Sequence, residues 1–185
     1  MAAAMRPSRN PEAAVRHARS CPVHECLINP SWRDSGLARI LLARRQPDGL
    51  IAFGVYLVDV LCLGLKSTFC NANFTSARYQ QSLRKRCYQD EAPVECPVPL
   101  AHAIVYGGID YAADLGFTPD RDFRLSQYIL EPRDALGEVP DVEFGRDGKP
   151  CYVSGPYDDV AAILAKLDRR LGEGNYLFLV GGPLD

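Results

Sequence analysis

The fold is decided by one apolar run at residues 50–66, which reads LIAFGVYLVDVLCLGLK. β-branched and aromatic residues favour strands, and apolar side chains on both alternating faces are typical of a strand that is covered on both sides. The run therefore predicts a central strand. Asp59 lies near its middle, and a carboxylate buried there needs a cation, hydrogen-bond donors, a metal ion or its own proton.

Turn and helix signals outside this run predict the remaining elements. Pro47, Asp48 and Gly49 favour a hairpin turn, because proline presets φ and glycine accepts a positive φ. The alternating residues 37–45 would form the strand before it. Three helices are predicted, at residues 76–88, 100–115 and 159–171. Further strands are predicted at residues 123–130, 142–144, 151–153 and 176–180. Together they predict an α+β fold with a mixed, mostly antiparallel sheet of five or six strands.

Length and composition favour one globular domain. The chain has 185 residues, 24% of them charged, and a net charge of -2, which argues against a strongly basic nucleic-acid binder. Residues 1–20 hold four arginines and a single acid, so we expect a flexible basic arm there and a single domain at residues 21–185. No run reaches the length of a membrane helix. We therefore expect a soluble protein that does not contact membranes.

The cysteines favour a reducing compartment. Seven is an odd number, and the chain lacks a secretory apolar segment, so a disulfide framework is not expected. The prediction is a cytoplasmic protein whose thiols behave as small apolar side chains. One cluster has an alternative interpretation: Cys21, His24 and Cys26 have types and spacing that suit Zn²⁺, although no fourth ligand lies nearby.

Basic residues crowd the first predicted helix. Arg78 lies near its start, and Arg84, Lys85 and Arg86 lie in its last turns. Cations near a helix C-terminus complement the helix dipole, which is the structural interpretation. The functional interpretation is a phosphate-facing patch that contacts nucleic acid.

The second predicted helix carries a polar stripe. His102, Tyr106, Asp110 and Asp114 recur every four residues and so share one side, which is either a solvated face or the wall of a site. Gly107 and Gly108 would permit another backbone to approach this helix closely.

A catalytic alternative centres on Asp59, with Lys66, His102 and Asp110 as further candidates. Metal-dependent nucleases combine a strand aspartate with an acid-x-Lys triplet that holds Mg²⁺. Here the triplet is Gly64, Leu65 and Lys66, so glycine stands where the acid is needed. The sequence has none of the common nucleotide-binding, serine-hydrolase or zinc-protease motifs.

Three segments, Val58-Asp59, the run from Cys62 to Lys66, and the run from Gly155 to Asp159, together resemble an uncharacterised bacterial protein family. The resemblance spans residues 22–180 and implies no activity, ligand or catalytic residue. From the sequence we expect a small accessory protein that contacts a protein partner or nucleic acid and needs no cofactor. The alternative is a metal-dependent hydrolase or nuclease that uses Zn²⁺ or Mg²⁺.

Overall fold

A computed structural model describes residues 10–180. Five antiparallel strands form the main sheet in the order β4-β3-β2-β1-β5. They are β1 (Val23–Ile28), β2 (Leu37–Arg45), β3 (Ile51–Asp59), β4 (Gly64–Phe74) and β5 (Val94–Glu95). A small parallel pair, β6 (Cys151–Val153) and β7 (Leu177–Leu179), lies apart from this sheet. The predicted α+β fold with a mostly antiparallel sheet is confirmed.

Helices flank the sheet. The short ones are α1 (Pro11–Arg16), α2 (Trp32–Ser35) and α5 (Phe123–Ser126), and the long ones are α4 (Val98–Asp114) and α6 (Val160–Leu171). The helix α3, residues 76–87, is continuous but has a π-helical centre, Tyr79–Arg84, between two α-helical turns. Within residues 10–180, no helix is both long enough and apolar enough to cross a membrane.

The apolar run at residues 50–66 is a hairpin rather than one strand. β3 ends at Asp59, β4 begins at Gly64, and these two residues are cross-strand partners. The sequence did not predict this turn because its residues are apolar like those of a strand. They are apolar because the turn is buried, as the low exposure of Leu61 and Cys62 shows. Gly64 has a φ of +65°, and a Cβ there would meet the carbonyl oxygen of Gly108. The close backbone approach predicted for the Gly107–Gly108 pair is therefore confirmed at Gly108, whereas Gly107 faces the ring of Phe144.

Of the other turn and strand predictions, some are confirmed and others are wrong. The hairpin at Gly49 is confirmed, since β2 and β3 pair from Arg45 opposite Ile51 onward. The strand predicted at residues 123–130 is wrong, because Asp122 starts a short helix whose turns are closed by local bonds such as Ser126 N to Asp122 O (3.0 Å). Residues 142–144 form no strand either. Apolar alternation over so few residues fits one helical turn as well as a strand.

The main sheet has two differently covered faces. On one face the largest core cluster packs β2, β3 and β4 against α1, α4 and residues 123–130. On the other face α3 buries a smaller cluster that includes Leu41, Phe53 and Tyr79. A third cluster joins α6 to the β3–β4 turn and the end of α4. We call the face with the largest cluster the closed face, and the face that α3 covers the α3 face.

Part of the predicted basic arm is packed. Val15 of α1 and Ala18 are each 1% exposed. The Arg19 guanidinium donates to the carbonyl oxygens of Gln127 (2.9 Å) and Leu130 (3.1 Å). Residues 10–20 therefore lie against the domain, whereas the rest of the predicted arm, residues 1–9, lies outside the described residues.

Candidate functional site

A groove of about 490 Å³ opens on the α3 face, between α3 and the strands β3 and β4. It forms because α3 covers only one part of this face. The residues that line it are Arg39, Val55, Leu57, Ser67, Phe69, Phe74, Arg78, Ser82, Leu83, Arg86, Cys87, Gln89 and Asp90. The groove thus combines an apolar floor with three guanidinium groups and one carboxylate.

The position of α3 follows from its sequence. Thr75 caps the helix, and its hydroxyl oxygen accepts from the Arg78 N–H (3.2 Å). Tyr79, Leu83 and Cys87 recur every four residues and are all buried against the sheet, as the spacing predicts. The Tyr79 hydroxyl also donates to the Glu25 carboxylate on β1 (2.6 Å). With this side fixed, the helix presents Arg78 and Arg86 to the groove.

The three arginines reach the groove from two elements, β2 and α3. Arg39 of β2 donates to the Cys87 carbonyl oxygen (2.6 Å) at the end of α3 and lies 3.8 Å from the Asp90 carboxylate. The Arg78 guanidinium lies over the Phe74 ring, 4.1 Å from its centroid. Arg86 is exposed. Among residues 10–180, neither Arg78 nor Arg86 forms an ion pair, so both charges remain open to a ligand.

An aromatic ring completes the groove. Phe69 of β4 is 46% exposed, and its ring contacts Phe53 edge to face, with centroids 6.0 Å apart. The contact holds the ring in place while much of it stays in solvent. The sequence did not predict Phe69 and Arg39 as site residues, because the predicted basic patch included only residues of the helix and none of the strands beneath it. Their outward positions in the alternation of β4 and β2 were the available signal.

The predicted basic patch therefore separates into two parts. Arg78 and Arg86 line the groove, whereas Arg84 turns towards β1, where its Nε lies 3.6 Å from the Glu25 carboxylate. Lys85 is exposed but does not line the groove. The two residues that point elsewhere offer internal controls for any role of the groove.

Asp59 is a structural turn residue. It is 5% exposed, and its Oδ1 accepts from the backbone N–H groups of Leu61 (2.9 Å) and Cys62 (3.0 Å). Burial raises the pKa of Asp59, and these backbone hydrogen bonds and Lys66 oppose the rise. The carboxylate thus closes the β3–β4 turn, and the Lys66 ammonium binds Asp158 instead (3.0 Å).

The other catalytic candidates also have separate partners. His102 is 1% exposed, and its Nε2 accepts from the Glu131 N–H (2.9 Å). Burial lowers the pKa of His102 to about 4, so the ring is neutral at physiological pH. Asp110 lies on the surface and pairs with Arg133 (2.6 Å). Asp59, Lys66, His102 and Asp110 thus each bind a different partner.

The cysteine-rich segment does not gather a metal site. Cys26 packs into the closed face, whereas the His24 ring contacts Tyr79 on the α3 face, with centroids 5.9 Å apart. A bulge between Val23 and Glu25 accompanies this change of face. Among residues 10–180, no three His, Cys, Asp or Glu side chains are placed to hold a metal ion. The structure therefore does not gather Cys21, His24 and Cys26 at one point, and zinc binding by this segment stays a prediction.

Comparison with known proteins adds no relative: no family model matches the chain, and no curated protein or solved structure is significantly similar to it. The resemblance to a bacterial family stays an expectation. The class that the structure itself defines is an α+β domain with an arginine-lined groove beside its sheet.

Proposed function

We propose that the protein is a small accessory protein that binds single-stranded nucleic acid in the arginine-lined groove. The observation that carries the proposal is the convergence of Arg39, Arg78 and Arg86, from three different positions, on a groove walled by the exposed ring of Phe69. Guanidinium groups bind phosphates, and an exposed aromatic ring stacks on bases of any sequence. A groove with both groups suits a single strand.

The net charge of the chain implies that binding depends on the groove alone. With a net charge of -2, the whole chain does not attract polyanions, so affinity must come from the groove itself. Arg78 and Arg86 supply cations that have no ion-pair partner among residues 10–180, while Asp90 partly neutralises Arg39. We therefore expect modest affinity, a strong dependence on salt, and little sequence preference.

The cytoplasm is part of the same proposal. All seven cysteines of the chain lie within the described residues and are free thiols. Free thiols persist in a reducing compartment. For the alternative hydrolase or nuclease, no contact among residues 10–180 brings the four candidate residues to one place.

Binding of a fluorescent single-stranded oligonucleotide of roughly 8 nucleotides, measured by anisotropy at low salt, tests the proposal. We expect Arg78→Ala and Arg86→Ala each to weaken binding about fivefold to tenfold and to reduce the salt slope by about 0.7, because each removes one phosphate contact. Phe69→Ala should cost about 1–3 kcal/mol of binding free energy.

The matched control is Lys85→Ala, which removes the same charge from the same helix outside the groove. It should change the affinity less than Arg86→Ala does. Phe69→Leu keeps an apolar side chain on β4 but removes the ring, and so separates stacking from folding. Absence of binding at low salt, or an equal loss for Lys85→Ala and Arg86→Ala, would contradict the proposal.

A further inference from the structure

Two buried cysteines face each other across neighbouring strands. In the β1–β5 ladder Leu27 pairs with Glu95 and Ile28 with Val94, so the same register places Cys26 opposite Cys96. The Cys96 N–H donates to the Cys26 carbonyl oxygen (2.9 Å). Cα atoms of such a hydrogen-bonded antiparallel pair lie about 5.5 Å apart, which is within the range that a disulfide spans.

Both side chains belong to the core cluster of the closed face, where Cys26 is 7% and Cys96 is 5% exposed. The Cys96 thiol donates to the Pro97 carbonyl oxygen (3.6 Å), and the Cys26 and Cys96 thiols lie close enough for each to shift the pKa of the other. This contact distinguishes them from the other five cysteines, none of which lies opposite a second cysteine in a strand ladder of residues 10–180.

The two sulfurs have different acidities. A hydrogen bond from the Cys26 thiol lowers the pKa of Cys96 against the effect of burial, and the Ala101 N–H near the start of α4 adds to the lowering. The same hydrogen bond, together with burial, raises the pKa of Cys26 well above the usual range of a thiol. Cys96 therefore ionises first, and a thiolate is the nucleophile in exchange with disulfides.

We propose that Cys26 and Cys96 form a thiol–disulfide exchange site that reacts with a low-molecular-weight disulfide such as oxidised glutathione. Access follows from the edge position of β5, which has only two residues, Val94 and Glu95, both exposed. Short edge strands open locally at low cost, and such opening would bring Cys96 to solvent.

The exchange balances in two steps. The Cys96 thiolate attacks one sulfur of the small disulfide, the S–S bond of that molecule breaks, and one small thiolate leaves. Cys26 then gives its proton to water, and its sulfur attacks Cys96 Sγ, which releases the second small thiol. Two protein thiols lose two electrons in total, and the small disulfide gains them. The product is a Cys26–Cys96 disulfide.

This bond would fasten β5 to β1. It would also restrain the segment after α3, which carries Gln89 and Asp90 of the groove. In a reducing cytoplasm such disulfides are transient and serve redox sensing. The exchange itself does not depend on the nucleic-acid proposal.

The test exposes the native, full-length protein to oxidised glutathione in a graded redox buffer, followed by alkylation and peptide mapping. We expect the wild type to lose two alkylatable thiols and to yield a peptide linked through Cys26 and Cys96. Its Tm should rise by roughly 5–15 °C, because the bond closes a long loop. Cys26→Ser should stop at a glutathione adduct on Cys96, and Cys96→Ser should form neither product.

Cys70→Ser is the matched control, because Cys70 lies in the β3–β4 ladder opposite Gly54 rather than a second cysteine, and it should behave as the wild type does. The mapping on the unaltered chain keeps the test valid even where a variant folds poorly. No disulfide in the wild type, a bond that maps to other cysteines, or an adduct on Cys26 in place of Cys96 would overturn the proposal.

Discussion

Two arginines on opposite faces of the same sheet have very different surroundings, which suit a structural role for one and the proposed binding role for the other. Arg44, on the closed face, is 2% exposed and donates to the carbonyl oxygens of Arg19, Cys21 and Ile129 and to the Glu131 carboxylate. Arg86, on the α3 face, has no ion-pair partner among residues 10–180 and borders an open groove. A fully bonded guanidinium stabilises the fold, whereas an open one is accessible to a ligand.

The same contrast applies to the other ionisable groups. Asp59 and His102, which stood out in the sequence as candidates for chemistry, are both buried, and both find partners in backbone N–H groups. Buried polar groups are usually paired in this way. The residues that stay available for binding are instead those that the half-covered face leaves in solvent.

The largest expected effect tests the closed face. Arg44→Met should lower the free energy of unfolding by about 3–5 kcal/mol, because three buried carbonyl oxygens lose their donor. Urea denaturation measures the change. Arg45→Met is the control, since Arg45 is the exposed neighbour on the same strand. A loss below about 1 kcal/mol for Arg44→Met would show that this network does not hold the closed face together.

His102 should make stability depend on pH. Its pKa of about 4 in the folded protein lies below the usual 6.5, so the unfolded chain binds more protons between these values. Stability is therefore complete above about pH 6.5 and falls by up to roughly 1.4 kcal/mol per unit as the pH drops towards 4.

His102→Gln provides the comparison, because glutamine can accept the Glu131 N–H but does not titrate in this range. The slope of unfolding free energy against pH between 4 and 6.5 should be smaller for the variant. Equal slopes in the two proteins would mean that His102 is solvated rather than buried neutral.

Two substitutions of Asp59 distinguish the effect of its hydrogen bonds in the turn from the effect of its charge. Asp59→Ala removes the acceptor for two backbone N–H groups and should cost about 1–3 kcal/mol. Because the pKa of Asp59 is raised in the folded protein, the protonated carboxyl favours folding and the ionised carboxylate opposes it. The stabilisation by the protonated form is fully present below the usual pKa of an aspartate and is lost as the pH rises through the pKa of the folded protein. Asp59→Asn keeps an acceptor without the charge, so it should be neutral or stabilising at pH 7.

Denaturation of both variants at pH 7 checks this prediction. A large loss of stability in Asp59→Asn would indicate that the ionised carboxylate has a cationic partner. Metal-dependent cleavage of nucleic acid that disappears in this variant would instead revive the hydrolase alternative.

The smallest effect is expected at the groove. Arg78→Ala and Arg86→Ala should each change the free energy of unfolding by less than about 0.5 kcal/mol, because both side chains are exposed. Thermal denaturation beside Arg44→Met provides the scale. A destabilisation similar to that of Arg44→Met would remove the distinction between the two faces.

Local patterns predicted much of the fold. The hairpin at Gly49, the helices α3, α4 and α6, and the close approach at Gly108 each follow from signals contained in a few residues. The turn after Asp59 escaped prediction because tertiary packing buries it, which gives it the composition of a strand. Residues 123–130 were wrongly predicted as a strand because so short an apolar pattern fits the two-residue period of a strand and the 3.6-residue period of a helix equally well.

The candidate site was less predictable, because it depends on how elements meet. The sequence indicated Arg78 and Arg86, but only the packing of α3 shows that Arg84 turns to Glu25 and that Arg39 joins the groove. The predicted zinc ligands depend on packing in the same way: a bulge in β1 sends His24 and Cys26, which are close in sequence, to different faces of the sheet. Cys26 and Cys96, seventy positions apart, gave no local signal at all.

The most direct test of the account is NMR mapping of amide shifts while a short single-stranded oligonucleotide is added at low salt. We expect the largest changes on the α3 face, at Phe69, Arg78 and Arg86, and no change at the amides around Asp59 and His102. Changes that cluster at Asp59 and His102, or no changes anywhere, would contradict it.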